Sequence, residues 1–316
     1  MNSNNLVISL FIPAHNESGN VAPLFEKIAR AFKRNHLRGE IIFVDDGSTD
    51  ATWDEATRAA RKYSFARLYR HRKSFGLTEA MRTGFRHARG EVVIFLPADL
   101  ESDPEEDIPK LLAKINEGYD AVAGWRQGRH DGKVFASAIY NFFSRHVFGL
   151  NLHDMNWIKA FRREVLTSIR LRSDWHRFIL MLAAAQGFKI GEVQVNYYPR
   201  TRGKTHFGIG RLPVSFLDVL VVKFLLTFSR KPMQFFGGIG LAMVAASLAT
   251  FAYLALLFFT GQGQRRPIFD FAGVLLLVGA LFFLVGFIAE LIVTQNERAE
   301  DLDARLREIE ARHNGH

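Results

Sequence analysis

Two pairs of acidic residues stand out because each directly follows a short apolar run. Asp45 and Asp46 come after the run 41–44 and before Gly47 and Ser48. A tight Asp-Gly turn there presents a carboxylate at a sheet edge, able to accept hydrogen bonds from ring N–H groups and ribose hydroxyls. The same dipeptide also makes purely structural turns. Asp99 and Glu101 follow the run 92–96. Carboxylates at i and i+2 project from one loop toward a single hard cation, which keeps several waters and takes diphosphate oxygens as its remaining ligands. That is a nucleoside-diphosphate grip; its alternative is a solvated acidic turn running on through Asp103, Glu105, Glu106 and Asp107. No Gly-x-Gly-x-x-Gly and no Walker lysine motif follows the first apolar run, so the usual glycine cradles for phosphate are missing. A divalent ion with arginines is the remaining common way to hold the phosphates.

These acids need a frame, and the first half of the chain supplies one. Short β-rich runs at 6–12, 40–44, 66–69, 92–96 and 121–124 alternate with helical patterns such as 21–35 and 52–63. Such α/β order predicts a mostly parallel sheet with helices on both faces and ligands at the carboxyl ends of the strands. The polar clusters fall at those ends: PAHNE (13–17) after the first run, DDGSTD (45–50) after the second and PADLE (97–101) after the fourth.

The second half reads differently. Residues 235–260 and 271–289 contain no Asp, Glu, Lys or Arg over 26 and 19 positions, each long enough to cross a bilayer as a helix, which takes about 17–25 residues. A wholly soluble protein is excluded and a membrane hairpin expected. Residues 212–228, apolar but interrupted by Asp218 and Lys223, suit a helix in the headgroup plane; a core helix is the alternative. The charged stretch 295–312 carries Leu302, Leu306 and Ile309 at seam spacing but reads as a solvated tail. The domain plan is therefore 1–210 catalytic, 211–232 interfacial, 233–294 hairpin and 295–316 tail. A net charge of +9 raises nucleic acid as a partner, yet the cations from Arg162 to Lys231 gather toward the spans, where anionic headgroups and phosphate substrates favour them. A membrane surface is expected and nucleic acid is not. The first apolar run lacks a basic flank and stops at Pro13, so it reads as a strand and not as an export signal. More basic residues flank the spans than occupy their loop, placing both flanks, the large domain and both termini in the cytoplasm. Zero cysteines exclude disulfides and thiolate metal sites and fit a reducing compartment.

PAHNE, VDDGSTD, GLTEAMRTGF, PADLESDPEEDIPKLL, GWR and RTRGKTH, in that order and ahead of two carboxyl-terminal spans, resemble the family 2 glycosyltransferases that make polyprenyl-phosphate sugars. The resemblance covers nearly the whole chain. It implies a GT-A type nucleotide-sugar-binding domain and inverting transfer from a UDP- or GDP-linked sugar to a dolichyl or undecaprenyl type phosphate, with Mg²⁺ or Mn²⁺ as cofactor. It assigns the nucleoside to Pro13, His15, Glu17, Asp45 and Asp46. The family's metal motif, usually Asp-Ala-Asp-Leu-Gln, appears as Pro97-Ala98-Asp99-Leu100-Glu101. One carboxylate is lost at Pro97 and one gained at Glu101, leaving Asp99 and Glu101 as the implied ligands and metal dependence in doubt.

Acceptor phosphate maps by the same resemblance onto Arg126, Lys133 and Ser137, and donor diphosphate onto Arg200, Arg202, Lys204 and His206. His206 replaces a permanent cation, which passes charge neutralisation partly to Arg202 or Lys204. Asp99, Arg126 and Asp154 take the catalytic positions. Trp157 and Ile158 stand where relatives keep a Gly-Phe pair. A phosphomonoester acceptor has a second pKa near 6 and needs no base, so Asp154 reads as positioning the sugar or a basic partner. Trp175, His176 and Arg177 line the sugar pocket or pack the core. Two rivals are a processive polysaccharide synthase, which needs a Gln-x-x-Arg-Trp motif that is missing, and a nucleotide-sugar-binding protein that has lost catalysis. Homo-oligomerisation is left open.

Overall fold

In the computed structural model, which describes residues 7–128, 149–169, 171, 175–200, 221–224, 228, 231–261 and 266–313, the β-rich runs assemble into one sheet. Its strands are β1 Val7–Ala14, β2 Arg38–Asp45, β3 Ala66–Arg70, β4 Val92–Phe95, β5 Ala121–Gln127, β6 Lys159–Arg162 and β7 Ile190–Asn196. They lie in the order β3-β2-β1-β4-β6-β5-β7. All neighbours are parallel except that β6 runs antiparallel to both β4 and β5. Between them come α1 Val21–Arg34, α2 Thr52–Lys62, α3 Leu77–His87, α4 Pro104–Asn116, α5 Arg163–Ser168, a 3₁₀ turn Trp175–Phe178 and α6 Ile179–Ala185.

The pleat of β1 explains the layering. Ile8, Leu10 and Ile12 point into a core completed by Leu24, Phe25 and Ile28 of α1 and by Ile108, Leu111 and Ile115 of α4. Alternation sends Phe11 to the other face, where its ring meets Phe85 of α3 and Phe95 of β4 at 5.4 and 5.9 Å. A Cβ on Gly84 would fall 2.1 Å from the Phe11 ring, so glycine lets α3 seat close to the sheet. Helices thus cover both faces, as the α/β alternation predicts.

Two details move the site. The first apolar run does not stop at Pro13: Pro13 and Ala14 pair with Val44 and Asp45, putting the start of PAHNE in the sheet. The reversed strand β6, with a cation at each end and only Ala160 and Phe161 between, gives little apolar signal, and it inserts Lys159 between β4 and β5.

The chain divides into compact units at Val219 and Leu220. The second contains α7, Pro232–Phe259, and α8, Arg266–His313. Both are long and apolar enough to cross a membrane, with 11% and 17% of their most apolar windows buried. Glycine lets them touch: Cβ atoms on Gly240 and Gly279 would sit 2.6 and 2.9 Å from the other helix's backbone oxygens. Ser247 donates to Ala272 O at 2.7 Å, and Glu290 of α8 accepts the Met233 N–H of the first turn of α7 at 3.0 Å. At 1.5 Å per residue α8 is about 72 Å long, over twice the hydrocarbon thickness. From 295 to 313 the expected tail continues the second helix. Residues 212–228, expected as an interface helix, lie for the most part outside the described residues.

Candidate active site

The carboxyl ends of β2, β1 and β4 lie side by side, and each carries part of the predicted constellation. At the end of β4 the chain turns through Leu100, whose φ of 58° is left-handed, a region that a leucine seldom enters. Asp99 Oδ1 accepts the Glu101 N–H at 3.2 Å across that turn. Both side chains then meet one guanidinium: Arg200 Nη2 donates to Asp99 Oδ2 and Arg200 Nε to Glu101 Oε1, each at 2.7 Å. Tyr198, just before it, donates its N–H to Glu101 O at 2.9 Å, tethering the segment that follows β7.

Glu17 belongs to the same electrostatic group. Burial raises its pKa and the charges of Asp99 and Glu101 raise it further, against opposing contributions from the Asn20 side chain and Arg200. Glu101 is raised by burial first and Asp99 second, with Arg200 and Arg126 pulling the other way. Three acids thus share one neighbouring guanidinium, an arrangement that favours added positive charge. Burial opposes the charge on Arg200, but Asp99 and Glu101 outweigh it and raise its pKa.

Asp45 and Asp46 turn to other tasks. Asp45 is fully buried; its Oδ1 accepts the Ser48 N–H at 3.0 Å, and its Oδ2 lies 3.1 Å from Arg70 Nε without an aligned hydrogen bond. The Asp46 carboxylate accepts from His71 Nδ1, Ser74 Oγ and the N–H groups of Phe75 and Gly76, at 2.7–2.9 Å. Burial works against its charge, yet these donors hold its pKa below the usual range. Asp46 therefore shapes the loop between β3 and α3. Gly47 fits against that loop at φ 67°, where a Cβ would fall 2.3 Å from the Lys73 backbone. His15 contributes through Nδ1, 2.8 Å from Asp46 O. Sequence reasoning missed Arg70, His71 and Ser74, whose only signal was their position at or just after the end of the third strand.

A second cluster stands at the end of β5. Arg126 gives Asp154 two hydrogen bonds, Nε to Oδ2 at 2.5 Å and Nη2 to Oδ1 at 3.2 Å. The guanidinium lies over the Trp157 ring at 5.2 Å. Glu192 of β7 accepts the N–H groups of His153 and Asp154 at 2.6 and 3.0 Å, fixing the Asp154 backbone. The His153 ring stacks on Trp125 at 3.9 Å. His176 is 3.0 Å from Thr78 Oγ1; burial, with the charges of Arg177 and Lys159, pushes its pKa down to about 3. The structure brings Glu17, Asp99, Glu101 and Arg200 into one group and Arg126 with Asp154 into another. Arg126 also acts on Glu101 electrostatically. Lys133, Ser137, Arg202, Lys204 and His206 lie outside the described residues.

Among the described residues no group of three or more His, Cys, Asp or Glu is arranged to hold a metal. Asp99 and Glu101 supply two hard oxygens on one loop, a donor set that fits a Mg²⁺-like ion completing its shell with substrate phosphate and water.

Comparison with known proteins agrees with this fold. Residues 9–178 match the family model described as glycosyl transferase family 2. Dodecaprenyl-phosphate galacturonate synthase from Rhizobium johnstonii is 33% identical over 297 residues, covering 91% of this chain and 88% of that protein. Undecaprenyl-phosphate 4-deoxy-4-formamido-L-arabinose transferase from Pectobacterium atrosepticum is 31% identical over 295 residues, covering 90% and 88%. Among solved structures, glucosyl-3-phosphoglycerate synthase from Mycobacterium tuberculosis with Mg²⁺ and uridine diphosphate aligns with a TM-score of 0.55 at 21% identity, covering 69% of this chain and 79% of that one. That likeness bears on the fold: a GT-A-like mixed sheet. With its strand-end acids, its sheet and its near full-length relatives agreeing, the chain belongs to glycosyl transferase family 2.

Proposed function

We propose that this protein transfers a sugar from a nucleotide-sugar donor to a polyprenyl phosphate, inverting the anomeric carbon. The observation that carries the reading is the pairing of Asp99 and Glu101 with Arg200, beside the Arg126–Asp154 pair, at the carboxyl edge of the sheet. The relatives' activities, as their names give them, support the acceptor class. Donor diphosphate would meet Arg200 and a Mg²⁺ or Mn²⁺ ion on Asp99 and Glu101; such an ion neutralises charge on a departing diphosphate. Arg126 has two of its five N–H groups on Asp154 and keeps others for an acceptor phosphate. Asp154 then serves to aim Arg126, since a phosphate dianion attacks without a base.

In this reading residues 1–210 are the catalytic part, 211–232 an interfacial segment, 233–294 a hairpin and 295–316 a charged tail. An acceptor confined to the bilayer explains why a nucleotide-sugar enzyme carries two apolar helices. The catalytic part and both termini lie on the cytoplasmic side. Because the chain has no cysteine, a single Cys at Gly261 should resist an impermeant thiol reagent added to the cytoplasmic side, and one at Asn314 should react.

The central test is incubation of the purified full chain with a panel of UDP- and GDP-sugars, undecaprenyl or dolichyl phosphate, and Mg²⁺ or Mn²⁺. A lipid-linked sugar is the expected product. No transfer from any donor to either lipid would overturn the reading.

A further inference from the structure

We propose that Lys159 is a positioning residue for the acceptor: its ammonium secures the backbone beneath Arg126 and adds the positive charge that acceptor phosphate binding draws on. This rests on the reading of Arg126 as a ligand of the lipid phosphate. Lys159 arrives on the reversed strand β6, paired with Phe95 of β4 and Ala123 of β5. It is 3% exposed. Its Nζ donates to Trp157 O at 2.8 Å and lies 5.3 Å from the centre of the Phe95 ring. Trp157 is the residue whose ring carries the Arg126 guanidinium. One hydrogen bond thus joins the buried ammonium to the platform on which the Arg126–Asp154 pair sits.

A lysine so buried is expensive unless its charge is used. The charged and titratable groups acting on it are Asp154 from the β5–β6 connection, Arg126 from β5 and His176 from the 3₁₀ turn. From β4 it meets the Phe95 ring. His176 is neutral at physiological pH, so with Lys159 protonated the cluster sums to two cations and one anion, and with Lys159 neutral to one of each. In the second state a phosphate dianion meets one positive charge fewer. Burial, partly offset by Asp154 and reinforced by Arg126, brings the ammonium's pKa down to about 7. Its charge therefore changes within the working pH range. Binding of a dianion pulls a proton onto Lys159, and by linkage the proton strengthens binding. The acceptor's own titration has the opposite sign, because its second pKa near 6 makes it more anionic as pH rises. A loss of acceptor affinity above neutrality has no source in the lipid.

The experiment is steady-state kinetics of the full chain with undecaprenyl phosphate in mixed micelles, at saturating donor, from pH 6.5 to 8.5. Wild type is compared with Lys159→Met and Lys159→Arg. The wild-type acceptor KM should rise about tenfold over this range, with kcat and donor KM changing less than twofold. Lys159→Met should show a high acceptor KM that is flat with pH, and Lys159→Arg a low, flat one. A wild-type acceptor KM that is level or falls with pH overturns the proposal. So does a wild-type slope retained in Lys159→Arg, or a Lys159→Met defect spread equally over donor KM and kcat, the mark of a merely structural role. If Lys159→Met does not fold, the wild type and Lys159→Arg decide. Absence of any transfer to polyprenyl phosphate removes the proposed function and this inference together, whereas transfer with a level acceptor KM removes this inference alone.

Discussion

Asp46 and Asp99 occupy equivalent places, each just beyond a strand that neighbours β1, and each is almost wholly buried. Their surroundings are opposite. Asp46 takes four donors from residues 71–76, a fixed set that a ligand could displace only by unfolding the loop. Asp99 shares a single guanidinium with Glu101, and that guanidinium belongs to a segment tethered behind β7. In the proposed reading the first carboxylate is scaffolding and the second an acidic seat whose arginine gives way to a metal ion. The two carboxylates differ in what surrounds them: one loop supplies four donors to Asp46, whereas Asp99 meets a guanidinium that it shares with a second acid.

Substitutions can break or sharpen that contrast. The largest effect should come from Asp99→Asn, which removes charge at the exchangeable seat. Lipid-linked sugar formation should fall about 10²–10³-fold, the size typical of losing one strong electrostatic contact, while the melting temperature holds. A comparable drop in melting temperature would place Asp99 with the scaffold instead.

Asp46→Asn should do the reverse, costing about 2–3 kcal/mol because donors arranged around a charge lose it. Denaturant unfolding measures this. The pH dependence follows from the lowered pKa of Asp46. Its stabilisation is complete above the unfolded-state value near 4 and is lost as pH falls through the lower folded-state value. The difference between wild type and Asp46→Asn should be constant above about pH 5 and shrink on the acid side.

Arg200→Gln should leave Asp99 and Glu101 facing each other without their cation. Mn²⁺ affinity in the absence of nucleotide, read by titration calorimetry, should rise several-fold while transfer falls. Unchanged Mn²⁺ affinity would mean that Arg200 and a divalent ion do not share this seat.

The smallest effect is expected at Asp107, a third buried acid that has one donor, the Asp103 N–H, on Oδ2 and none on Oδ1. Burial raises its pKa to about 7, against the charge of Lys110. The folded value lies above the unfolded one, so the cost of its charge is absent at low pH and full above about 7. Asp107→Asn should raise the melting temperature by a few degrees at pH 8 and leave it nearly unchanged at about pH 3, below the unfolded-state value. Equal gains at both would show that the group is not the uncompensated acid described.

Sequence pattern made much of this readable. Runs of β-branched and aromatic residues located β1 to β5, since strand alternation and burial depend on neighbours two positions away. The acids after those runs were visible for the same reason. β6 and the pairing of Pro13 into β1 were not, because β6 has a cation at each end and only two apolar residues between them, and proline is an unusual strand residue. Nor was the sharing-out of the acids: the partners of Asp46 lie 25 to 30 residues away, and Arg200 is 101 residues from Asp99.

The sequence by itself determined the two apolar helices, whose charge-free lengths leave no favourable place in water, and the alternation that puts acidic turns on one edge of a sheet. Only the tertiary structure decided which acid is ringed by loop donors and which is paired with a distant arginine, and which lysine lies buried behind Arg126. Hydropathy and turn preference act between near neighbours in the chain. The partner of a buried charge is chosen by where the fold brings distant segments together.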